Sequence, residues 1–302
     1  MSLVEPAQGP VAVTGAGGRL GRALVHALRA DGREVVSWGR PDYDLEDAAS
    51  AERVVERDRP SLVFHAAAWT DVDGCALDPA RAARLNGGAT AELARACAAA
   101  GANLVYVSTN AVFDGGRVDG RGYAEDDATA PANAYGESKL AGEEAVRAAY
   151  SGAAAGAWVA RISWLFGAPG GDFPEKVLAA ADRLGEGELL SMVADETGRP
   201  TYSHDLAAAL VGLPRIAPPG VIHLANAGQA TRYDWAERVL RRCRPGVGLQ
   251  PVGHAEYERP ASVPRWAVLD ISRSDALGIL MRPWSDALDE YLNEICPRPS
   301  RS

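Results

Sequence analysis

The fold of this chain follows from Val11-Ala12-Val13-Thr14-Gly15-Ala16-Gly17-Gly18-Arg19-Leu20-Gly21. The apolar start predicts a buried strand over 11–14, and leucines at helical spacing predict a helix over 18–30. A glycine turn between strand and helix lets the backbone approach a pyrophosphate, which can bind the free N–H groups of the helix N-terminus. The sequence therefore predicts a dinucleotide-binding unit, with a glycine-rich turn that holds no ligand as the alternative. The predicted cofactor contacts in this turn are Gly15, Gly17 and Gly18.

Short apolar runs alternate with helical patterns through the first half of the chain. The predicted strands cover 34–38, 61–65, 103–108 and 158–162, and the predicted helices cover 49–57, 79–100 and 135–150. This alternation favours parallel strands that are joined by crossover helices. We therefore expect an α/β fold with a doubly wound, Rossmann-like parallel sheet.

Beyond Gly167 the pattern loosens into shorter elements separated by Gly- and Pro-rich loops. The predicted loops are 185–187, 214–220 and 244–253, and the predicted elements are 174–184, 189–193, 205–213, 221–225 and 232–242. We expect residues 1–166 to form the dinucleotide-binding domain, joined by a returning segment near 218–242. Residues 167–302 are then mainly a smaller substrate-binding region that ends in a frayed tail at 297–302.

Composition and charge limit the classes of function. The 302 residues have a net charge of −9 and are 47% hydrophobic, which is ordinary for a globular enzyme and unfavourable for nucleic acid as the main partner. No signal peptide is recognised and no apolar run approaches the ~20 residues of a membrane span, so we expect no membrane partner. The four cysteines lack Cys-x-x-Cys spacing, so we assign no metal ligands and expect reduced thiols in a cytoplasmic protein.

The end of the second predicted strand bears on the choice of cofactor. It reads Trp38-Gly39-Arg40, with no acid where a carboxylate would bind the ribose of NADH. Arg40 and Arg19 are expected to converge on a 2′-phosphate, which suits an arginine fork, unless both are solvated surface residues. We therefore predict NADPH, with NADH as the alternative. Asp44 and Leu45 are expected at the adenine edge, although a plain turn explains them as well.

A second motif lies far downstream of the glycine turn. Tyr135-Gly136-Glu137-Ser138-Lys139 places a tyrosine and a lysine on one face of a predicted helix. Carbonyl reduction needs a hydride at carbon and a proton at oxygen, and a nearby ammonium group would lower the pKa of a tyrosine proton donor. The strand over 103–108 leads to Thr109, whose hydroxyl is expected to bind the substrate oxygen, with Ser108 as the alternative. An amphipathic helix with a solvated lysine is the competing interpretation.

Together these motifs resemble the extended short-chain dehydrogenase/reductases and, within them, the dTDP-4-dehydrorhamnose reductase family. The resemblance covers nearly the whole chain, through 14–21, 65–73, 108–109, 112–115, 135–142, 161–164, 195–201, 223–226 and 259–260. It implies NADPH-dependent reduction of a 4-keto group on a dTDP-linked 6-deoxyhexose, and it leaves a homodimer open. Thr109, Tyr135 and Lys139 match the catalytic positions, with Tyr135 and Lys139 also touching the cofactor. Further cofactor contacts implied are Leu20, Ala66, Ala67, Ala68 and Asn86, and implied substrate contacts are Trp69, Trp164 and Arg199.

Some positions depart from the family pattern. Asn110 and Ala111 stand where the family usually has Asp then Tyr, and we expect both to border the sugar. Losing an acid and an aromatic ring implies a roomier, less anionic pocket, so the sugar need not be the rhamnose precursor. Glu196 replaces a common Gln, and a buried core role is the alternative for Trp164.

Two other functions remain compatible with these motifs. A nucleotide-sugar epimerase would share the glycine turn and the Tyr-x-x-x-Lys motif. A sugar dehydratase is disfavoured, because it would need an Asp-Glu pair after Thr109, which this chain lacks. A non-catalytic regulatory subunit similar to the methionine adenosyltransferase beta subunit would share the fold. The intact set of Thr109, Tyr135 and Lys139 favours a reductase.

Overall fold

The structure, a computed structural model, describes residues 9–296. Its strands are β1 Val11–Thr14, β2 Val35–Trp38, β3 Leu62–His65, β4 Asn103–Thr109, β5 Ala157–Ile162, β6 Leu165–Phe166, β7 Leu189–Val193, β8 Thr197–Gly198, β9 Thr201–Tyr202, β10 Gly220–His223, β11 Ala230–Thr231 and β12 Gly248–Val252. Its α-helices are α1 Arg19–Ala30, α2 Ser50–Asp58, α3 Val72–Leu77, α4 Pro79–Ala82, α5 Ala89–Ala99, α6 Ala134–Ala149, α7 Phe173–Ala181, α8 Ser203–Ile216, α9 Arg232–Cys243, α10 Ser272–Ala276 and α11 Trp284–Ile295. A π-helical turn, Ala83–Gly88, joins α4 to α5, and 3₁₀ turns cover Asn110–Val112 and His254–Glu256. The predicted tail at 297–302 lies outside the described residues.

Six strands form one parallel sheet in the order β10-β5-β4-β3-β1-β2. The chain runs from β1 outward to β2 and then crosses to β3 on the other side of β1. Ligands of such sheets bind at the carboxyl ends of the strands where this reversal occurs. The doubly wound parallel sheet that the sequence predicts is therefore confirmed.

Two apolar layers cover the sheet, because successive side chains of a strand point to opposite faces. Val11 and Val13 pack with apolar residues of α1 and α8, whereas Ala12 packs with those of α2 and α5. Burial on both faces explains why the strands read as continuous apolar runs. The carboxyl edge of the sheet is left free to bind a ligand.

After β5 the chain builds three two-stranded sheets, β6-β9, β8-β11 and β7-β12. Beside them lies an aromatic core to which α7, α9 and α11 contribute, with Phe166, Tyr202, Trp235 and Tyr291 among its buried members. The proposed division of the chain into a domain over 1–166 and a region over 167–302 stays a prediction.

The elements beyond Gly167 differ most from those predicted. β12 lies inside the predicted loop 244–253 and pairs in parallel with β7. α8 runs through Pro214 to Ile216, into the predicted loop 214–220. α3 and α11 fall where the sequence pattern predicts no element. In these segments tertiary packing overrides local propensity, which is a weak guide for short elements.

The helix predicted at 79–100 is interrupted by the π-helical turn. Gly87 belongs to this turn, and a Cβ atom on it would stand 3.2 Å from Ala141 Cβ of α6. Close packing of α6 against the turn therefore favours glycine at this position. The turn also brings Asn86 up to α6, beside the site described below.

Three observations on residues 9–296 bear on the class of protein. None of the helices there has both the length and the apolar character that crossing a membrane requires. No cluster of three His, Cys, Asp or Glu side chains within that range is arranged to hold a metal ion. Cys75, Cys97, Cys243 and Cys296 are all free thiols.

Candidate active site

The glycine turn forms a cradle at the start of α1. Gly15 has a φ of +63°, and a Cβ atom on it would stand 2.9 Å from Ala67 Cα, so this turn requires glycine. A Cβ atom on Gly17 would instead meet no heavy atom within 4 Å. The N-cap of α1 is Gly18, whose lack of a side chain leaves the first-turn N–H groups uncapped. Open space in front of free N–H donors fits the phosphate groups of a dinucleotide.

A cavity of about 850 Å³ extends from this cradle along the carboxyl edge of the sheet. Nearly every residue that the sequence assigns to the cofactor lines it. They are Gly15, Gly17, Gly18, Arg19, Leu20, Arg40, Asp44, Leu45, Ala66, Ala67, Ala68, Tyr135 and Lys139. The exception is Asn86, and Trp69 is the predicted substrate contact that also lines the cavity. The structure thus brings the cradle and the Tyr-x-x-x-Lys motif together.

Arg19 is engaged away from Arg40. Its Nε donates to the carbonyl of Gly167 at 2.6 Å, and its Nη2 donates to those of Pro169 and Gly170 at 3.3 and 3.2 Å. Arg40 is exposed on the rim of the cavity after β2. With these three contacts, the Arg19 guanidinium does not converge with that of Arg40 as the sequence leads us to expect. A 2′-phosphate contact by Arg40 stays a prediction.

Thr109 and Tyr135 meet at the end of β4. Thr109 is the last residue of that strand, and Tyr135 lies in the first turn of α6, which Asn133 caps by accepting from the Gly136 N–H. A Cβ atom on Gly136 would clash with the carbonyl of Ala111, so glycine lets the helix start close to the strand end. The Thr109 hydroxyl is near enough to Tyr135 to lower the pKa of its phenol. It donates to Asn110 Oδ1 at 3.3 Å and accepts from the Ala111 N–H at 3.2 Å. Two hydroxyls are thus side by side where a ligand of the sheet would bind.

Burial governs the protonation of the tyrosine and the lysine. It raises the pKa of Tyr135 to about 12, against the opposing effect of the Thr109 hydroxyl. It lowers the pKa of Lys139 to about 7, against the opposing charge of Glu143. The lowered tyrosine pKa that the sequence leads us to expect is therefore not found, because desolvation of the buried phenol dominates.

Two of the predicted residues are held by other side chains of the chain. Ser108 lines the cavity, but its Oγ donates to Glu143 Oε1 at 2.5 Å, whereas Thr109 lies outside the lining. The choice between these two hydroxyls as the substrate contact therefore stays a prediction. Asn86 is buried, where its Oδ1 accepts from Trp69 N–H at 2.8 Å and its Nδ2 donates to Ser138 Oγ at 3.0 Å. In the structure Asn86 ties the Trp69 loop to α6, and its cofactor contact stays a prediction.

The two residues after Thr109 are buried and do not line the cavity. Asn110 Nδ2 donates to the carbonyl of Ala267 at 3.0 Å, 157 residues away along the chain. Ala111 supplies the carbonyl against which Gly136 packs. Both residues therefore organise neighbouring backbone, and their contact with the sugar stays a prediction.

Trp164 lies outside the cavity, in the region beyond β5. Its φ is +41°, which is unusual for a bulky residue. Its ring stacks on that of Trp235, with centroids 5.8 Å apart, and the Arg232 guanidinium carbon lies 3.6 Å from its centroid. Trp164 is half-buried, so its burial does not decide between a core residue and a substrate contact. A substrate contact by Trp164 stays a prediction.

Arg199 joins two loops beyond β5. Its Nε donates to the carbonyl of Leu269 at 2.7 Å, and its Nη1 donates to that of Gly228 at 2.8 Å. Burial lowers the pKa of its guanidinium, and the charge of Asp270 opposes this effect. Arg199 does not line the cavity, so its predicted role at the substrate also stays open to test.

Sequence patterns miss several buried polar residues behind the site. His65 is hydrogen-bonded to Thr14 Oγ1 at 2.8 Å through Nδ1 and to Thr90 Oγ1 at 3.0 Å through Nε2. Glu143 and Arg161 form a fully buried ion pair next to α6. Glu143 gives a positional signal in the sequence, because it follows Lys139 by four residues and so shares its helix face. His65 and Arg161 begin two of the stretches that carry the family resemblance.

Comparisons with known proteins agree with this geometry. A family profile described as RmlD substrate binding domain matches residues 10–296. The chain is 40% identical over 284 residues to the dTDP-4-dehydrorhamnose reductase of Mycobacterium tuberculosis, covering 91% of this chain and 90% of that protein. It is 37% identical over 280 residues to the dTDP-4-keto-6-deoxy-D-glucose reductase of Streptomyces niveus, covering 92% and 94%.

Solved structures give the same result. The crystal structure of dTDP-4-dehydrorhamnose reductase from Bacillus anthracis in complex with NADP superposes with a TM-score of 0.85 at 29% identity. The match covers 95% of this chain and 100% of that one. The family that the sequence motifs resemble is thereby confirmed. The chain belongs to the dTDP-4-dehydrorhamnose reductase family of the extended short-chain dehydrogenase/reductases.

Proposed function

We propose that this protein is an NADPH-dependent reductase that converts the 4-keto group of a dTDP-linked 6-deoxyhexose to a hydroxyl group. The observation that supports this most directly is that Tyr135 and Lys139 line the cavity that begins at the glycine cradle, with Thr109 near Tyr135 at the end of β4. The names of the relatives supply the substrate class, since they are reductases of dTDP-4-keto-6-deoxy sugars.

The side chains suit the proton half of this reaction. With a pKa of about 12, the Tyr135 hydroxyl stays protonated at neutral pH and can donate to the sugar O4. The Thr109 hydroxyl would hydrogen-bond the same oxygen and hold the carbonyl against the tyrosine. Bound NADPH would supply the hydride to C4. The phenolate left on Tyr135 would be stabilised by a Lys139 ammonium group one helical turn away.

The choice of NADPH over NADH is part of the proposal. The relative from Bacillus anthracis holds NADP in its crystal structure. In this chain Ser37, Gly39 and Arg40 line the cavity at the end of β2, where an acid would bind the ribose of NADH, and the acids of the lining follow only at Asp42, Asp44 and Glu46. A cytoplasmic location is also proposed, because all four cysteines are free thiols, as in reducing compartments.

The test is a panel of dTDP-linked 4-keto-6-deoxy sugars with the purified protein. Loss of NADPH absorbance and NMR of each product should show stoichiometric reduction at C4 for at least one sugar. Inversion of a sugar centre without net consumption of NADPH would identify an epimerase. Tight cofactor binding with no turnover of any sugar would favour a regulatory subunit instead.

A further inference from the structure

A buried carboxylate lies behind the proposed catalytic residues. Glu143 is on α6, one helical turn after Lys139, and its side chain is 0% exposed. Its Oε1 accepts from Ser108 Oγ at 2.5 Å and from Arg161 Nε at 2.9 Å, and its Oε2 accepts from Arg161 Nη2 at 2.7 Å. Carboxylates that accept several hydrogen bonds from charged and neutral donors remain ionised. Glu143 is therefore a fixed negative charge in the interior.

Arg161 is fixed as firmly as its partner. It lies on β5 with 3% of its side chain exposed, and its Nη1 donates to the Glu125 carbonyl at 3.3 Å. Its guanidinium carbon stands 5.2 Å from the ring centroid of Phe113. With Ser108 on β4, the carboxylate is thus held by two strands of the sheet. The Glu143 carboxylate cannot move away from β4 and β5 without leaving a buried arginine unpaired.

Stability alone does not explain a buried ion pair. The cost of removing both charges from water commonly matches or exceeds their attraction, so apolar residues would serve a purely structural role at least as well. Neither Glu143 nor Arg161 lies on the proposed route of the proton. We therefore relate the pair to the charge of Glu143 and its effect on neighbouring side chains.

The neighbour of interest is Lys139, whose side chain is 2% exposed. Its ammonium nitrogen lies 4.1 Å from the ring centroid of Tyr106, on β4. Burial favours the neutral amine and lowers the pKa of Lys139 to about 7, while the charge of Glu143 acts in the opposite direction. Without an anion nearby, the pKa of this lysine would fall further, and the neutral amine would predominate at neutral pH.

The other titratable groups around Lys139 do not provide that anion. His65 on β3 has its pKa lowered to about 3 by burial and the lysine charge, so it is neutral. Tyr135 on α6 has a pKa of about 12, and burial raises the pKa of Tyr106 well above its usual value, so both phenols are neutral. Arg161, on the far side of Glu143, is a cation. The anion among these groups is Glu143.

We propose that Glu143 is a positioning residue that keeps Lys139 protonated, and that Arg161 and Ser108 fix its carboxylate for this role. Because Lys139 acts as an ammonium group in the proposed reaction, this role deepens the proposed function and rests on it. A protonated lysine is present below its pKa and is lost as the pH rises through it. Removal of the Glu143 charge should therefore move the loss of the Lys139 charge to lower pH.

The composition of the chain permits a direct measurement. Its two lysines are Lys139 and the exposed Lys176 on α7, so lysine labelled with ¹³C at Cε gives two NMR signals. The Lys176→Arg variant identifies the signal of Lys139. In the wild type we expect Lys139 to titrate near pH 7. In Glu143→Gln the Lys139 midpoint should fall by about one pH unit or more.

An unmoved Lys139 midpoint in Glu143→Gln would overturn the proposal. Because that variant leaves Arg161 without its anion, the double variant Glu143→Met with Arg161→Met removes both charges at similar volume. Its Lys139 midpoint should also lie below that of the wild type, and equality with the wild type would again overturn the proposal. Ser108→Ala keeps the ion pair and should give a smaller decrease in the same direction.

Activity provides a separate readout. In Glu143→Gln the basic limb of the kcat/KM profile should move to lower pH by the shift that NMR measures. A merely structural role would reduce kcat without moving this limb. If wild-type protein reduces no 4-keto sugar but the NMR midpoint shifts, the proposed function fails while the role of Glu143 stands. If it reduces the sugar and the midpoint does not move, only the role of Glu143 fails.

Discussion

In the six-stranded sheet, strands are joined by main-chain hydrogen bonds and covered on both faces, whereas the region beyond β5 depends on side chains that bridge distant segments. Arg199 links the loops at Gly228 and Leu269. Arg244 pairs with Asp182 at 2.7 Å, and both side chains are exposed. Exposed ion pairs contribute about 0–1 kcal/mol each and are screened by salt. Both regions have a buried apolar core, but the links between distant loops in the second rest on individual side chains, which substitution can remove one at a time.

This difference matches the division of labour that we propose. Proton and hydride transfer need groups held to within a fraction of an ångström, and the sheet edge supplies Thr109, Tyr135 and Lys139 from β4 and α6. Recognition of different sugars tolerates more variation and suits the region of short sheets. Substitutions at the sheet edge should accordingly change rate, and substitutions beyond β5 should change preference or stability.

The largest expected effect comes from removing the proton donor. Tyr135→Phe keeps the ring but removes the hydroxyl beside Thr109, so turnover should fall by about 10²–10⁴-fold. Cofactor affinity should stay near that of the wild type, because the cradle is untouched. Steady-state kinetics and NADPH fluorescence measure the two effects. Tyr257→Phe, at a site that is 61% exposed, is the matched control. Wild-type turnover in Tyr135→Phe would remove Tyr135 from the mechanism.

A second variant tests whether the cradle holds a dinucleotide. Gly17 lines the cavity at the cradle, and a Cβ atom on it would meet no heavy atom of the protein within 4 Å. Gly17→Ala should therefore leave the melting temperature unchanged and weaken NADPH binding by about tenfold or more, which corresponds to about 1.4 kcal/mol. Gly246→Ala, equally free of contacts and far from the cavity, is the control. Equal affinities in the two variants would mean that no phosphate lies at Gly17.

Features that depend on neighbouring residues could be predicted from the sequence. The strand, glycine turn and helix at 11–30 follow from a short pattern, and the parallel sheet follows from its repetition. Tyr135 and Lys139 share a helix face through spacing alone. These local rules also account for the shared cavity, since the carboxyl ends of parallel strands lie at one edge.

Features that depend on distant residues could not be predicted. Arg19 donates to a carbonyl 148 residues away. The local sequence does not reveal this partner, and the position of Arg19 beside the glycine turn suggests a phosphate contact instead. β12 is held by β7 and contains a proline, and no alternation marks it as a strand. The pKa values of Tyr135 and Lys139 depend on burial, which exceeds the pairwise charge effect that spacing implies.

The two arginines near the cradle should separate cofactor choice from loop anchoring. Arg40→Ala should reduce the preference for NADPH over NADH by at least about tenfold, because charge-assisted hydrogen bonds contribute roughly 1.5–3 kcal/mol. Arg19→Ala should instead weaken both cofactors alike, since its contacts are with the carbonyls of 167–170. Dissociation constants for both cofactors provide the ratio. If Arg40→Ala weakened NADPH and NADH equally, Arg40 would not contact the 2′-phosphate.

The smallest effect on activity is expected at Asn110, where the family pattern and the structure point in different directions. The pattern places a sugar-contacting acid there, whereas the structure shows a buried amide that donates to the Ala267 carbonyl. In Asn110→Asp this donor becomes an acceptor facing a carbonyl, which should lower the free energy of unfolding by about 1–3 kcal/mol. The ratio of kcat/KM values for two 4-keto sugars should change less than about tenfold, because an indirect effect lacks the strong discrimination of a paired hydroxyl group. Asn293→Asp, at an exposed acceptor for Arg242, is the matched control in denaturant unfolding. A larger change in the sugar ratio with unaltered stability would show that Asn110 faces the sugar. The hydrogen bond from Asn110 to the Ala267 carbonyl would then not be its main role.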